Sequence, residues 1–230
     1  MLFNVIFAQA IEKRMRFYSD TIGERIEEIT FERFWRQENP NDREVGKMKV
    51  VAFNGSPNKK GNTYAAIKTV AAELEKENIQ VEIIDVGSKA ILGCIACGSC
   101  GKNQDERCFL DDPVNEWVQK MKEADGILLG TPVYFSGVNG SMKSFLDRAF
   151  FVASANGGLF RHKVGAALAA VRRSGGLPAF EELNRFIFFS EMLMPTSNYW
   201  NVIYGASPGE AEQDAEGKQI MRVLGKNMAW

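Results

Sequence analysis

Four cysteines, the whole complement of the chain, stand within fifteen residues as Cys94, Cys97, Cys100 and Cys108, a spacing of C-x2-C-x2-C-x7-C. Thiols scattered through a core act as small inert hydrophobes, whereas thiols gathered on one short loop can close around an inorganic centre. Gly93, Gly98 and Gly101 between and beside them let the backbone wrap closely and aim N–H groups at sulfur. The pattern admits an iron–sulfur cluster, a zinc ion or a loop that holds no metal. Structural zinc usually takes two C-x2-C knuckles a dozen or more residues apart, and a run of three plus one departs from that. Disulfides rank last, because nothing else in the chain looks secreted.

Two further stretches carry chemistry. Residues 54–63 form a polar turn in which Ser56, Asn58, Gly61, Asn62 and Thr63 lead directly into a helical pattern. Unpaired N–H groups at a helix start, with the positive end of its dipole, suit a phosphate. A P-loop needs Lys straight after its second Gly, and Asn62 follows Gly61 here; the G-x-G-x-x-G fingerprint is absent too. A terminal monophosphate fits better than a triphosphate or dinucleotide. Residues 131–140 contribute Pro132, Val133, Tyr134, Phe135, Ser136 and Gly137, apolar and aromatic with glycines that permit close approach, as a flat ring requires. A third segment, Arg172-Arg173-Ser174-Gly175-Gly176, offers arginines for the same ring-bearing ligand, for the phosphates of a second nucleotide, or for solvent. The single histidine, His162, reads as a surface or capping residue, and no G-x-S-x-G elbow points to hydrolysis.

The elements that must position these residues follow from periodicity. After residue 48, short apolar runs alternate with amphipathic stretches, the pattern of a parallel sheet covered on both faces. Strands are expected over 49–53, 81–85, 126–130, 163–171 and 199–203. Helices are expected over 63–77, from Pro113 with Asp112 as N-cap, and over 141–153, 178–191 and 210–228. Right-handed crossovers then give an α/β doubly wound five-stranded parallel sheet in the order 2-1-3-4-5. In that order the phosphate turn, the aromatic loop, the cysteine loop and the arginines all meet at one sheet edge. Phosphate at one loop and a flat ring at its neighbour describe a single ligand, FMN.

Residues 1–47 read differently, as a charged helical extension that ends in a polar break at 39–42, with a domain boundary near Met48. At 230 residues and 45% hydrophobic content the chain can bury one sizeable core. A net charge of −1 gives no basic field for nucleic acid. No run approaches the roughly 20 apolar residues that cross a bilayer, and residues 1–10 lack the basic start of a signal peptide. A cytoplasmic protein is expected. Aromatic-rich stretches at 145–160 and 180–194 suggest an oligomeric interface.

With those residues in view, the chain resembles the NADPH-dependent FMN reductases of the flavodoxin-like superfamily, and within them the iron–sulfur flavoproteins. The resemblance rests on G-S-P-x-x-x-G-N-T at 55–63, P-V-Y-F-x-G-x-x-G-x-M-K at 132–143 and the compact cysteine motif. It implies that the first loop holds the FMN phosphate, the second the isoalloxazine, and the cysteines a [4Fe–4S] cluster. It further implies electron flow from NAD(P)H or ferredoxin to a small acceptor such as a quinone, a flavin or an oxygen species, in a homodimer or homotetramer. Cluster-free quinone or FMN reduction, and a carrier or redox sensor without turnover, are the alternatives.

Overall fold

The structure is a computed structural model that describes residues 48–230; the helical extension expected over 1–47 lies outside the described residues. From Lys49 the chain runs β1 (Lys49–Asn54), α1 (Asn62–Lys76), β2 (Gln80–Asp85), a short α2 (Ser99–Asn103), α3 (Pro113–Glu123), β3 (Gly126–Tyr134), β4 (Gly137–Val138), α4 (Gly140–Ala155), β5 (Val164–Val171), α5 (Gly176–Phe189), β6 (Val202–Tyr204) and α6 (Ala215–Ala229). The sheet order is β2-β1-β3-β5-β6, with β4 paired to β3 alone. All neighbours on the main path are parallel. The expected 2-1-3-4-5 winding is therefore present in five strands, and β4 is an added hairpin arm.

The sequence dictates why this sheet is covered twice. Along β1, Val51 and Phe53 face one side and Val50 and Ala52 the other, and all four are buried. The first side packs against α3, α4 and α5 through Trp117, Met121, Phe145, Leu146 and Leu183. The rings of Phe53 and Phe145 lie 4.6 Å apart, with Trp117 set edge-on to Phe145 at 5.3 Å. The second side packs against α1 and α6 through Ile67, Val70, Leu74, Ile220 and Leu224. Asp112 caps α3 as expected, its carboxylate accepting from the Val114 N–H at 3.1 Å with Pro113 at the first helical position.

Several expected boundaries move. Strand β3 continues four residues past Gly130, through the segment expected to be loop, because Thr131 and Pro132 still pair with Ala169 and Ala170 of β5. The last strand lies at Val202–Tyr204 rather than 199–203, and Tyr199 and Trp200 sit exposed before it. The last helix divides into a 3-10 turn (Glu210–Glu212) and α6, separated where Asp214 caps α6 by accepting from the Gly217 N–H. Of the aromatics offered for an oligomeric face, Phe145, Phe150 and Phe160 belong to the core, while Phe151, Phe188 and Phe189 remain exposed.

Candidate redox site at the carboxyl edge of the sheet

Parallel pairing puts the carboxyl ends of β1, β2, β3 and β5 side by side, and the loops that leave them touch. Asn54, fully buried at the end of β1, shapes the first turn: its side-chain oxygen accepts from the Ser56 N–H at 3.1 Å and its amide donates to Asp85 on β2 at 2.9 Å. Ser56 accepts in turn from the Asn58 N–H at 3.1 Å, and Asn58 from the Lys60 N–H at 3.3 Å. These internal bonds curl residues 54–60 into a preformed ring of backbone. Helix α1 then starts after Gly61 with no side-chain cap. Its first N–H groups, those of Asn62 and Thr63 among them, are the ones an anion would satisfy. The side chain of Asn62 is engaged elsewhere, donating to the Ser207 carbonyl at 3.0 Å and accepting from the Ala211 N–H at 3.2 Å. Thr63 is buried beneath the turn.

The second wall is the β3–β4 hairpin. Val133 pairs with Val138 and Tyr134 with Gly137, leaving Phe135 and Ser136 as the turn, both left-handed at φ 48° and 61°. Asn-Gly is the usual choice for such a turn, and each non-glycine residue in it costs on the order of 1–2 kcal/mol. The turn is held in place from below. Thr131 Oγ1 accepts from the Asn139 N–H at 3.1 Å, Glu182 of α5 accepts from the Val138 N–H at 3.1 Å, and Asn139 caps α4 by accepting from Ser141 and Met142. Pro132 and Val133 are half-buried, whereas Tyr134 and Phe135 project, Phe135 with its ring fully exposed. A strained, uncovered aromatic in one loop and an uncapped helix start in another are local costs of the kind that persist at ligand sites.

Two close approaches join these loops. A Cβ on Gly87, just after β2, would fall 2.1 Å from the Gly55 carbonyl oxygen, and one on Gly175, after β5, 2.6 Å from Ser136 Oγ. The arginine segment thus abuts the aromatic hairpin. Arg172 and Arg173 are both exposed; Arg173 lines a pocket with Gly175, Trp200 and Tyr204, and Arg172 does not.

The cysteine loop lies along α4. Ser141 Oγ donates to the Lys89 carbonyl at 2.8 Å, and Arg148 Nη1 to the Leu92 carbonyl at 3.4 Å. Because α4 begins at the aromatic hairpin, its rise of about 1.5 Å per residue sets the cysteine pocket, lined by Arg148, Phe151 and Val152 of that helix, roughly 12–18 Å along it from that wall. All four cysteines line one narrow pocket with Phe109, Arg148 and Phe151. Cys100 is buried and Cys108 half-buried as the floor, while Cys94 and Cys97 form an exposed rim. Left-handed Ala96 and Gly98 turn the chain between them, and the Ala96 N–H lies 3.4 Å from Cys94 Sγ. Hydrogen bonds from Ser99 lower the Cys97 thiol below the ordinary thiol range, and burial raises that of Cys100. Among the described residues, no three Cys, His, Asp or Glu side chains converge tightly enough for a single ion. A four-iron cluster is a cube rather than a point, so its ligands stand further apart than those of zinc. Four thiols around one pocket, with N–H donors to sulfur, are a donor set that fits such a cluster.

Two residues that periodicity alone did not single out fix Cys108. Buried Asn115 accepts from its N–H at 2.7 Å and donates to its carbonyl at 3.2 Å. Arg148 Nε lies 3.3 Å from its sulfur. The only sequence signal for either was a polar residue on the apolar face of a helix.

The family model described as NADPH-dependent FMN reductase matches residues 48–206, the stretch that contains every one of these loops. The chain belongs to the NADPH-dependent FMN reductase family. It is an FMN reductase-like flavoprotein oxidoreductase of flavodoxin-like fold. An iron–sulfur flavoprotein of Methanocaldococcus jannaschii is 35% identical over 79% of this chain and 96% of its own length. Another, from Methanosarcina thermophila, is 29% identical over 79% and 93%. Among solved structures, an NAD(P)H:quinone oxidoreductase from Methanothermobacter marburgensis superposes with a TM-score of 0.57 at 14% identity, covering 79% of this chain and 99% of that one. Among the described residues, no helix of this FMN reductase family member is long and apolar enough to cross a membrane.

Proposed function

We propose that the protein takes electrons from NAD(P)H or a ferredoxin and delivers them to a small acceptor, a quinone, a flavin or an oxygen species, through FMN and a [4Fe–4S] cluster held by Cys94, Cys97, Cys100 and Cys108. Bound FMN would supply two-electron acceptance and one-electron release, and the cluster single-electron transfer. The protein's own residues supply position and electrostatics. Backbone N–H groups over 55–63 would neutralise the phosphate, with the α1 dipole behind them. Pro132 to Gly137 would wall the ring and exclude water, and Arg173, at the pocket beside that wall, would attract the anionic nucleotide. No side chain is asked to act as acid or base.

The observation that carries this reading is the joining of the hairpin and the cysteine pocket by one helix, α4, which begins at Gly140 and reaches the pocket at Arg148. The relatives named iron–sulfur flavoproteins support the cluster. A cluster-free NAD(P)H:quinone or FMN reductase is the second reading, favoured by the exposed, unconverged rim of Cys94 and Cys97. We place the protein in the cytoplasm as a homodimer or homotetramer. Anaerobic purification followed by absorption spectroscopy, flavin, iron and acid-labile sulfide analysis tests the reading. FMN with four irons per chain is expected, together with NAD(P)H- or ferredoxin-driven reduction of a quinone or ferricyanide. FMN with turnover but no iron would favour the second reading, and FMN without turnover a carrier or sensor. Protein that takes up no FMN would overturn all of them.

A further inference from the structure

The largest fully buried side chain among the described residues is Arg148, a guanidinium on the otherwise apolar inner face of α4. A buried cation is costly unless every donor is met, and here the whole fork is spoken for. Nη1 and Nη2 grip the Asp112 carboxylate at 2.5 and 2.9 Å, and they also donate to the carbonyls of Leu92 at 3.4 Å and Leu110 at 3.2 Å. Nε is left over and lies 3.3 Å from Cys108 Sγ. Leu92 and Leu110 lie on either side of the run from Cys94 to Cys108 in the sequence, so one side chain closes the cysteine loop at both ends. Asp112 cannot cancel the charge outright, since it keeps a quarter of its side chain in water while the arginine has none. A methionine or leucine would fill the same place without that cost.

We propose that Arg148 is the positioning and potential-setting residue of the cysteine centre: it fixes Cys108 as a ligand and raises the potential of the cluster. This rests on the cluster reading given above. Four thiolates around a [4Fe–4S]2+ core carry a net charge of −2, and the one-electron reduced form −3. A fixed cation against one sulfur stabilises the more negative form, so one electron from a reductant is accepted at a higher potential and no proton need move. With its backbone pinned by Asn115 and its sulfur by Arg148, Cys108 is set before the metal arrives, which slows its loss.

The test compares wild type, Arg148→Met and Arg148→Lys after anaerobic reconstitution with iron and sulfide. Potentials are read by dithionite titration followed by electron paramagnetic resonance, and iron loss by release to a chelator. Arg148→Met is expected to lower the midpoint potential and to speed iron release about 10–100-fold, the usual range when an outer-shell partner is lost. Arg148→Lys is expected to keep most of the potential but release iron faster, because a point charge cannot hold Asp112 and Cys108 together. FMN content should not change in either. Should Arg148→Met fail to fold, the iron-release rate of Arg148→Lys decides alone, and a rate equal to wild type overturns the proposal. A wild type that loads a cluster while both variants match it in potential and release rate sinks this inference and leaves the cluster reading standing. A wild type that never loads a cluster removes both.

Discussion

At the scale of single residues the site is defined by side chains doing what their types ordinarily avoid. Phe135 occupies left-handed backbone with its ring in water, so nothing within the described fold rewards its identity. Phe135→Gly should therefore stabilise the apoprotein by about 1 kcal/mol, raising Tm by roughly 2–4 °C for a domain of this size. The same change should weaken FMN retention, measured by flavin release on dilution. Stabilisation with unchanged retention would remove Phe135 from the flavin wall. Cys97 and Cys100 should separate on a pH axis in metal-free protein. Hydrogen bonds from Ser99 favour the Cys97 thiolate, so it forms below the ordinary thiol pKa, whereas burial delays that of Cys100 until above it. Alkylation followed by peptide mass analysis should label Cys97 at lower pH than Cys100, and Ser99→Ala, which removes the hydroxyl's hydrogen bond but neither the backbone one nor the burial of Cys100, should narrow the gap. The four thiols were legible from spacing alone. Arg148 was not, because one arginine in an amphipathic helix normally marks the solvent side, and only the fold of the cysteine loop over α4 buries it.

Elements were legible where local chemistry agreed with packing, and illegible where a tertiary contact extended or split them. Asp112-Pro113 announced the start of α3 because cap and N1 preferences are local. The extension of β3 to Tyr134 was hidden, since it depends on pairing with the alanine-rich β5, and a two-residue arm such as β4 has no periodicity to read. Asp112 also shows how one residue can serve two elements: Oδ1 caps α3 and both oxygens hold Arg148 of α4. Asp112→Ala loses the cap, about 1 kcal/mol, and strands a buried guanidinium, so a total near 3–5 kcal/mol is expected in urea unfolding. Asp112→Asn keeps the cap and one acceptor and should lose clearly less. If Asp112→Ala costs no more than an ordinary cap, the guanidinium has another means of compensation.

At the scale of the whole described fold, one contribution to acid stability lies at the edge of the sheet away from the redox loops. The carboxyl edge collects the redox loops. Towards the amino end of β1, Glu82 accepts from Lys49 at 2.8 Å and from Lys120, tying β1, β2 and α3 together. Its hydrogen bonds to Lys120 and then Lys49 hold its carboxyl below the ordinary value of 4.5. A depressed carboxyl contributes stability above that value, and the contribution is lost as pH falls from about 4.5 through the lowered pKa. The group keeps about a third of its surface in water, so screening limits the effect to about 1 kcal/mol or less. Glu82→Gln should therefore lower urea stability slightly at pH 7, and the difference from wild type should shrink as pH falls from about 4.5 and vanish only below the lowered pKa. FMN content and turnover at pH 7 should be unaffected, because no contact links Glu82 to residues 54–63 or 131–140 in the pairs described. A pH-independent deficit would mean that Glu82 acts through packing rather than charge. Loss of flavin in this variant would mean that the two edges are mechanically coupled, with strain at the start of β1 passing along the strand to the turn at Gly55.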